Sequence, residues 1–485
     1  MPEGDPPHSP SWPRRTWVLL LVVALLAGTG GVLWERGVLD ELFAEDEQPV
    51  SALDAPAPAG LELPAARTSQ EVLDEPSGAA VSAADVRARL LPLMRERRFG
   101  ARIGVAVHDL THDRPVLEVG GGSYMPASTV KLLTAAAALE LLGPAHRFET
   151  TVIAKGRLGG AGSRRPPRLT LVGGGDPMLA SKALPGDYPQ PATLRSLVTR
   201  TAAALQEAGV RRVRVGYDDS LFKGPAVSPA WEPDYVPGVT SPVSALSVDE
   251  GVDPDTFVRS TDPAALAAGL FADGLRARGI RVATVPDTSP AAGGREIASV
   301  QSPPLERVVG HVLRLSDNEG AEMLLRHVGI AAGTGASFTG GAAGARTALR
   351  PLGVSWAGVR LLDGSGLARG NRLPLHALVA LLRLGADDDR ADLRAVLGGL
   401  PVAGFDGTLA NRYLAEATSD ALGLVRAKTG TLTGTHALAG TVVDADGVLL
   451  GFVAVANGVK ERNTLFARDQ LDRITAALAG CGCRR

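Results

Sequence analysis

Residues 126–143 read PASTVKLLTAAAALELLG, and this stretch sets the expectations for the rest of the chain. After Pro126, its apolar residues recur with the spacing of one helix face, at Leu132, Ala135, Ala136, Leu139 and Leu142. Gly143 then ends the run, as glycine often does at the end of a helix. The stretch predicts a buried, apolar helix that begins near Ser128.

Ser128 and Lys131 are three residues apart at the start of this helix, which places their side chains on the same face. A serine hydroxyl is a weak nucleophile and needs a base within hydrogen-bond reach. Burial disfavours the charged form of a lysine, and Lys428 is a candidate second cation that would disfavour it further. We predict that Ser128 is the nucleophile and Lys131 its base, with the Ser128 amide contributing to an oxyanion hole.

The same spacing recurs at Ser220 and Lys223, which provides a comparison within the chain. Gly224 and Pro225 follow at once, so no helix continues from this second pair. We predict a loop there, and Ser-x-x-Lys spacing by itself is a weak signal.

A second motif is Ser316-Asp317-Asn318. Ser316 is a hydroxyl that can relay a proton to a leaving group, and Asn318 can hold a substrate amide. The same three residue types are favoured as N-caps before a helix such as 321–326. Both interpretations are compatible, and they stay open at this point.

The third motif, Lys428-Thr429-Gly430-Thr431, falls where an edge strand is expected to begin. Gly430 allows a ligand close to the backbone, and Lys428, Thr429 and Thr431 can bind a carboxylate. A phosphate-binding loop is excluded because no glycine-rich pattern precedes the lysine. Three weak motifs in this order, on a predicted helix, loop and strand, form one strong signal.

The two ends of the globular region predict matching halves of one sheet. A helix over 85–98, with a kink or break at Pro92, precedes strands at 102–110 and 116–119. Two strands joined by an Asp-Gly turn span 437–458, and a helix follows at 462–479. We predict an α+β fold in which an antiparallel sheet is flanked by helices, with 82–146 and 300–485 forming the catalytic domain.

Residues 147–299 are predicted to be an inserted accessory domain of α/β character. Strand signals at 169–177 and 211–219 alternate there with helical segments at 193–208 and 263–279.

The N-terminal region predicts export. Residues 17–34 are uncharged and long enough to span a bilayer in a nearly upright orientation, for which about 20 residues are needed. Arg14 and Arg15 precede this segment, so the N-terminus is expected in the cytoplasm and the bulk of the chain outside. Residues 1–36 are predicted to be a cytoplasmic stub with an anchor, or alternatively a cleaved signal peptide, and 37–81 a disordered linker rich in Pro, Ala and acidic residues.

The overall composition excludes several classes of protein. The chain has 485 residues and a formal net charge of -2, so a nucleic-acid partner is not expected. Its eight histidines have no metal-ligand spacing, so neither a metal nor a cofactor is predicted. Cys481 and Cys483 are the two cysteines, and their role is left open between a disulfide, a partner and no function.

Three further sequence patterns accompany these motifs. They are Gly173-Gly174-Gly175-Asp176-Pro177, SDNEGAEML from Ser316, and Asp363-Gly364-Ser365-Gly366-Leu367 with Arg369 and Asn371. In these motifs the chain resembles the class C low-molecular-mass penicillin-binding proteins, which are D-alanyl-D-alanine carboxypeptidases and endopeptidases. The resemblance covers roughly residues 82–480. It implies a β-lactamase/transpeptidase-like fold with an insertion between the first two motifs.

The resemblance also implies roles and ligands. Ser128, Lys131 and Ser316 would be catalytic, and the amides of Ser128 and Thr431 would form the oxyanion hole. The residues that would bind substrate are Asn318, Lys428, Thr429, Gly430 and Thr431. Peptidoglycan stem peptides would be the substrates and β-lactams the inhibitors.

The resemblance bears on two other regions as well. The Asp363–Leu367 loop is interpreted as structural, beside the site. Ser316 lies 188 positions after Ser128, which implies a reduced accessory subdomain and leaves an endopeptidase role in doubt.

Two alternatives remain. The first is another enzyme of the same fold. A class A β-lactamase shares Ser-Asp-Asn, but residues 319–427 contain no glutamate motif that would activate a deacylating water, so we predict slow release of a β-lactam. An esterase of the same fold is also open. The second alternative is a catalytically silent cell-wall-binding module. The complete set of motifs argues against it.

Overall fold

A computed structural model describes residues 80–156, 158, 166–283 and 287–483. The predicted anchor at 17–34 and nearly all of the predicted linker lie outside the described residues. Within the described ranges, no helix is both long enough and apolar enough to cross a membrane.

The described residues form thirteen strands, which are numbered in chain order. They are β1 Arg102–Asp109, β2 Arg114–Val119, β3 Ser123–Tyr124, β4 Glu149–Lys155, β5 Arg168–Val172, β6 Arg212–Asp218, β7 Arg281–Val282, β8 Asp287–Thr288, β9 Arg295–Gln301, β10 Leu373–Pro374, β11 Val425–Leu432, β12 Thr435–Val443 and β13 Leu449–Asn457.

The α-helices are numbered in the same way. They are α1 Ala83–Met94, α2 Val130–Leu142, α3 Leu194–Glu207, α4 Tyr235–Gly238, α5 Pro263–Ala277, α6 Leu305–Leu315, α7 Asn318–Ala331, α8 Phe338–Leu349, α9 Leu375–Ala386, α10 Ala395–Gly398 and α11 Thr464–Ala479.

Strands from both ends of the described chain form one five-stranded antiparallel sheet in the order β11-β12-β13-β1-β2. The two ends meet where β1 pairs with β13, with Val105 opposite Ala454. Apolar side chains point to both faces of this sheet, so each face must be covered by a layer of helices. The predicted α+β, transpeptidase-like fold is confirmed, as are the hairpins at each end and the C-terminal helix.

Two apolar cores cover the two faces of this sheet. One core packs β12 and β13 against α2, α6, α7 and α9, and its centre is the helix predicted from residues 126–143. The other packs the opposite face against α1 and α11. Residues Val130 to Leu139 of α2 are all buried, so this helix is enclosed on every side and carries more than one apolar stripe.

A second sheet lies between the first two motifs in sequence, in the order β7-β6-β5-β4-β9, with β8 paired to β6. Its pairings are mixed: β5 and β6 are parallel, whereas β4 is antiparallel to both of its neighbours. Helices α3 and α5 complete its core. The predicted strands and helices of this region are present, and the described residues pack as one compact unit.

Two local details refine the sequence-based expectations. Helix α1 continues through Pro92 and ends at Met94, so the predicted break is absent and the helix is shorter than the predicted 85–98. Only Leu93 and Met94 follow Pro92 in the helix, so the proline lies in its last turn. Cys481 and Cys483 are buried and joined by a disulfide.

Candidate active site

Ser128 lies in a 3-10 turn, Ala127–Thr129, that leads directly into α2. The prediction that the α-helix itself begins at Ser128 is therefore corrected by about two residues. Ala127 has a φ of 48°, a conformation that costs a non-glycine residue energy, and such strain is concentrated at functional sites. Gly366 packs against this turn so closely that an added Cβ would lie 2.0 Å from the Ala127 carbonyl oxygen.

Lys131 is completely buried and faces Ser128 one turn below it. Its Nζ lies 3.1 Å from Ser128 Oγ, 2.8 Å from Asn318 Oδ1 and 2.7 Å from the Ser365 carbonyl oxygen. The asparagine and carbonyl oxygens accept two N–H bonds. A neutral amine has two N–H groups and one lone pair, so the lone pair is left for the Ser128 hydroxyl.

Burial lowers the pKa of Lys131 from 10.5 to about 8. The nearby carboxylates of Asp317, Glu322 and Asp363 act in the opposite direction. The predicted repulsion between Lys131 and Lys428 is mutual, and it is resolved at Lys428. The pKa of Lys428 is lowered well below its usual range, by burial and then by Lys131.

Ser316 and Lys428 form a second hydroxyl–amine pair on the other side of the cleft. Lys428 Nζ donates to Ser316 Oγ over 2.8 Å and to the Thr429 carbonyl oxygen over 2.9 Å. Ser316 lies in the turn between α6 and α7 with a φ of 62°, the left-handed region that few residues other than glycine adopt. Since Lys428 is fully buried, it contacts the cleft through Ser316.

Asp317 and Asn318 combine the two interpretations of the second motif. Asp317 is the N-cap of α7, with Oδ1 accepting from Gly320 N over 2.9 Å. Asn318 is the first helical residue, and its side chain reaches Lys131. The start of α7 thus places Asp317 in a helix cap and Asn318 in the site.

The third motif lies on β11, the edge strand of the main sheet, as predicted. Gly430 faces the 3-10 turn of Ser128, where an added Cβ would lie 2.6 Å from the Pro126 carbonyl oxygen, so a larger residue would displace the strand. Gly430 thus lets β11 lie close to this turn. Thr429 Oγ1 donates to Thr408 Oγ1 over 3.0 Å and so links β11 to a second 3-10 turn, Gly407–Leu409.

A cleft of about 460 Å³ opens over these groups. It is lined by Ser128, Ser316, Gly407, Thr408, Asn411, Arg412, Thr429, Thr431 and Arg468. The two arginines were not predicted, because they come from a loop and from α11, outside the three motifs. Arg412 is buried and paired with Asp472, whereas Arg468 is exposed and adds a positive charge to the cleft, which suits an anionic substrate.

The Asp363–Leu367 loop contributes more than the structural role predicted for it. Its Ser365 carbonyl accepts directly from Lys131, and its Gly364 carbonyl accepts from Thr134 Oγ1 over 2.8 Å. Glu322, a fully buried residue of α7, holds the loop by accepting from Gly364 N at 2.9 Å and Ser365 N at 2.8 Å. Sequence reasoning missed Glu322, which lies only four residues after Asn318.

Trp231 and Asn371 anchor the same loop at Asp363. Trp231 Nε1 donates to Asp363 Oδ2 over 2.8 Å, and Asn371 Nδ2 donates to Asp363 Oδ1 over 2.6 Å. Trp231 belongs to the region between the first and second motifs, so that region supports the loop that positions Lys131.

The comparison pair Ser220 and Lys223 lies in an irregular loop, and both residues are exposed. Identical spacing therefore gives two different environments. Only the first pair has a buried lysine next to its serine.

We expect Glu322→Ala to lower both stability and activity. Two buried N–H groups would lose their acceptor, which lowers the free energy of unfolding by about 2–4 kcal/mol. The Ser365 carbonyl would also shift away from Lys131, and we expect acylation to slow by about 10- to 100-fold. Urea unfolding and the rate of penicillin acylation measure the two effects.

Asp109→Ala is the matched control, because Asp109 is also fully buried and accepts from the amides of Val81 and His112, remote from the cleft. It should lose stability and keep its acylation rate. Equal loss of acylation in both variants would contradict a positioning role for Glu322.

Taken together, the fold and the paired serine–lysine groups define an active-site serine enzyme of the penicillin-binding, acyl-transfer class. The family model described as the D-Ala-D-Ala carboxypeptidase 3 (S13) family matches residues 87–259 and 253–478. The chain belongs to this family. It is therefore an enzyme of the serine D-Ala-D-Ala carboxypeptidase type, as the sequence predicted.

Individual relatives of known name are consistent with this family. A carboxypeptidase of Mycobacterium tuberculosis is 34% identical over 84% of this chain and 86% of its own length. A D-alanyl-D-alanine carboxypeptidase of Actinomadura sp. strain R39 is 30% identical over 79% of this chain and 82% of its own. Among solved structures, penicillin binding protein 4 of Haemophilus influenzae has a TM-score of 0.64 at 22% identity, covering 81% of this chain and 98% of its own. That structural likeness shows the fold.

Proposed function

We propose that this chain removes the terminal D-alanine from peptidoglycan stem peptides through an acyl-enzyme on Ser128. The observation that carries the proposal is the position of Lys131 Nζ, 3.1 Å from Ser128 Oγ with two other acceptors already in place. This arrangement leaves a base directed at the nucleophile.

In the proposed acylation step, Ser128 Oγ attacks the carbonyl carbon of the penultimate D-alanine and its proton passes to Lys131 Nζ. The amides of Ser128 and Thr431 stabilise the oxyanion. When the C–N bond breaks, Ser316 Oγ, which Lys428 keeps hydrogen-bonded, gives its proton to the departing amine and takes a proton in turn from protonated Lys131, so that Lys131 is neutral again. Water then attacks the ester carbonyl while Lys131 takes its proton, and that proton passes to Ser128 Oγ as the shortened peptide leaves.

The substrate's terminal carboxylate is proposed to lie against the hydroxyls of Thr429 and Thr431, with Asn318 holding the peptide backbone. Arg468 is exposed on the same cleft and adds a positive charge beyond the threonines. Lys428 is buried and stabilises this carboxylate indirectly, through its hydrogen bond to Ser316. Gly430 leaves space for the peptide.

We further propose that the enzyme acts outside the cytoplasm, tethered by 17–34 or secreted after its cleavage, with 37–81 as a spacer. This rests on the sequence pattern and on the nature of the substrate. The division into a catalytic part, 82–146 with 300–485, and an insertion, 147–299, is likewise proposed and is supported by the two separate sheets.

Benzylpenicillin is expected to acylate the enzyme, and the acyl-enzyme is expected to hydrolyse slowly. The test combines intact mass of the soluble chain with excess benzylpenicillin, peptide mapping, and D-alanine release from a pentapeptide ending in D-Ala-D-Ala. We expect a lasting adduct on the peptide that contains Ser128, together with D-alanine release.

The other outcomes would exclude the proposal in different ways. Rapid penicillin turnover without a lasting adduct would indicate a β-lactamase. An unmodified protein that also leaves the pentapeptide intact would indicate a silent binding module.

A further inference from the structure

Three side chains that the proposed mechanism does not use meet behind the second motif. Glu250 lies in a 3-10 turn, Asp249–Gly251; His311 lies on α6; and Asp317 caps α7. Each offers one ligand atom, and these atoms all lie within 4.8 Å of one another. Three ligands at that spacing can surround a single small cation.

Asp317 is the most informative member of this cluster. It is only 5% exposed, and its Oδ1 is occupied by Gly320 N. Its Oδ2 is buried and has no hydrogen-bond partner among the described residues. A buried carboxylate oxygen without a partner is costly, so it calls for an ion or a proton.

The surrounding charges are unbalanced. Glu250 and Glu319 are acidic neighbours of Asp317. Arg259 lies 2.8 Å from Glu319 Oε1 and 3.5 Å from Glu250 Oε2, and so pairs with both of them. Among the described residues Asp317 makes no ion pair of its own, so three carboxylates share one arginine.

His311 completes the set and is accessible. It makes no hydrogen bond with any described residue, although Arg314 and Asp187 lie near enough to influence its charge. Glu250 and His311 both line an open cavity of about 510 Å³, which gives a cation a path from solvent. A neutral imidazole offers one ring nitrogen as a metal ligand.

We propose that Glu250, His311 and Asp317 bind one divalent transition-metal ion, for which Zn²⁺ is the best match. One imidazole nitrogen and two carboxylates suit zinc, whereas calcium and magnesium prefer ligand sets made only of oxygen. The fourth position faces the cavity. The ion takes no part in acyl transfer: it joins the 3-10 turn of Glu250 to the turn that carries Ser316 and Asn318.

The sequence gives no sign of this site, because its three ligands stand at 250, 311 and 317 and match no metal motif. Helix α6 and its following turn bring the last two together, and the insertion supplies the first.

The test is zinc binding to the full-length chain after removal of metals, measured by equilibrium dialysis and elemental analysis. We expect one zinc per chain, at least a tenfold weaker affinity in His311→Ala and in Glu250→Gln, and a zinc-dependent rise in Tm in the unaltered chain alone. His376→Ala is the control, because His376 is exposed on α9, outside the cluster. It should bind zinc as the unaltered chain does.

Zinc binding that is absent, or unchanged in both ligand variants, would overturn the proposal and favour a shared proton between Glu250 and Asp317. Penicillin acylation is measured on the same samples, because the role given to the ion rests on the proposed function of the cleft. Acylation without zinc binding would reject the metal site alone. Zinc binding without acylation would reject the proposed function alone.

Discussion

Ser128→Ala is expected to abolish both the penicillin adduct and D-alanine release, with a rate at least about 10⁴-fold lower. The covalent intermediate requires the Ser128 oxygen, and no other described hydroxyl lies next to a buried amine in the same cleft except Ser316, whose partner is Lys428. Lys131 keeps its bonds to Asn318 and Ser365 in the variant, so the fold should be preserved.

Ser220→Ala is the matched control for this experiment. It removes a serine with the same Ser-x-x-Lys spacing from an exposed loop, and acylation should be unchanged. A Ser128→Ala protein that still carries a penicillin adduct would show that another residue is the nucleophile. Ser316 would then be examined first by peptide mapping.

Sequence reasoning predicted the pair of Ser128 and Lys131 and the fold class because each depends on local patterns. Ser128 and Lys131 are about one helical turn apart, and the apolar run after them indicates a buried helix. Strand-like segments at both ends, each about ten residues long, indicated two halves of one unit. The structure adds that β1 and β13 pair where these halves meet.

What the sequence could not predict depends on contacts between distant segments. Ser365 supplies a backbone carbonyl, which every residue has, so nothing in its side chain indicates its bond to Lys131. Glu322 contacts amides 42 and 43 positions away, at Gly364 and Ser365. The lowering of the Lys131 pKa by burial was predicted, but the opposing effect of Asp317, Glu322 and Asp363 was not, because these carboxylates lie far from Lys131 in sequence.

Lys131→Ala is expected to slow acylation by about 10²- to 10⁴-fold, the usual contribution of a general base. Since only a neutral lysine accepts the serine proton, the acylation rate of the unaltered enzyme should rise with pH and level off above a midpoint near its pKa of about 8. The variant should lack this rise. Stopped-flow acylation by a chromogenic β-lactam between pH 6 and 10 measures both effects.

Lys428→Ala separates loss of the base from general damage to the cleft. It also removes a buried amine, but it leaves Lys131 in contact with Ser128, so its slower acylation should still show a rise with pH. A flat profile in the unaltered enzyme, or a rise that persists in Lys131→Ala, would contradict the assignment of Lys131 as the base.

Stability gives an independent measure of the same pKa. In the folded protein Lys131 titrates near 8, whereas in the unfolded chain it titrates near its usual 10.5. Between these values the unfolded state binds more protons, so the folded state gains stability as pH rises. The free energy of unfolding of the unaltered enzyme, relative to Lys131→Ala, should rise by about 3 kcal/mol from pH 8 to pH 10.5. No relative change would mean that Lys131 keeps its proton in the fold, and a charged lysine cannot deprotonate Ser128.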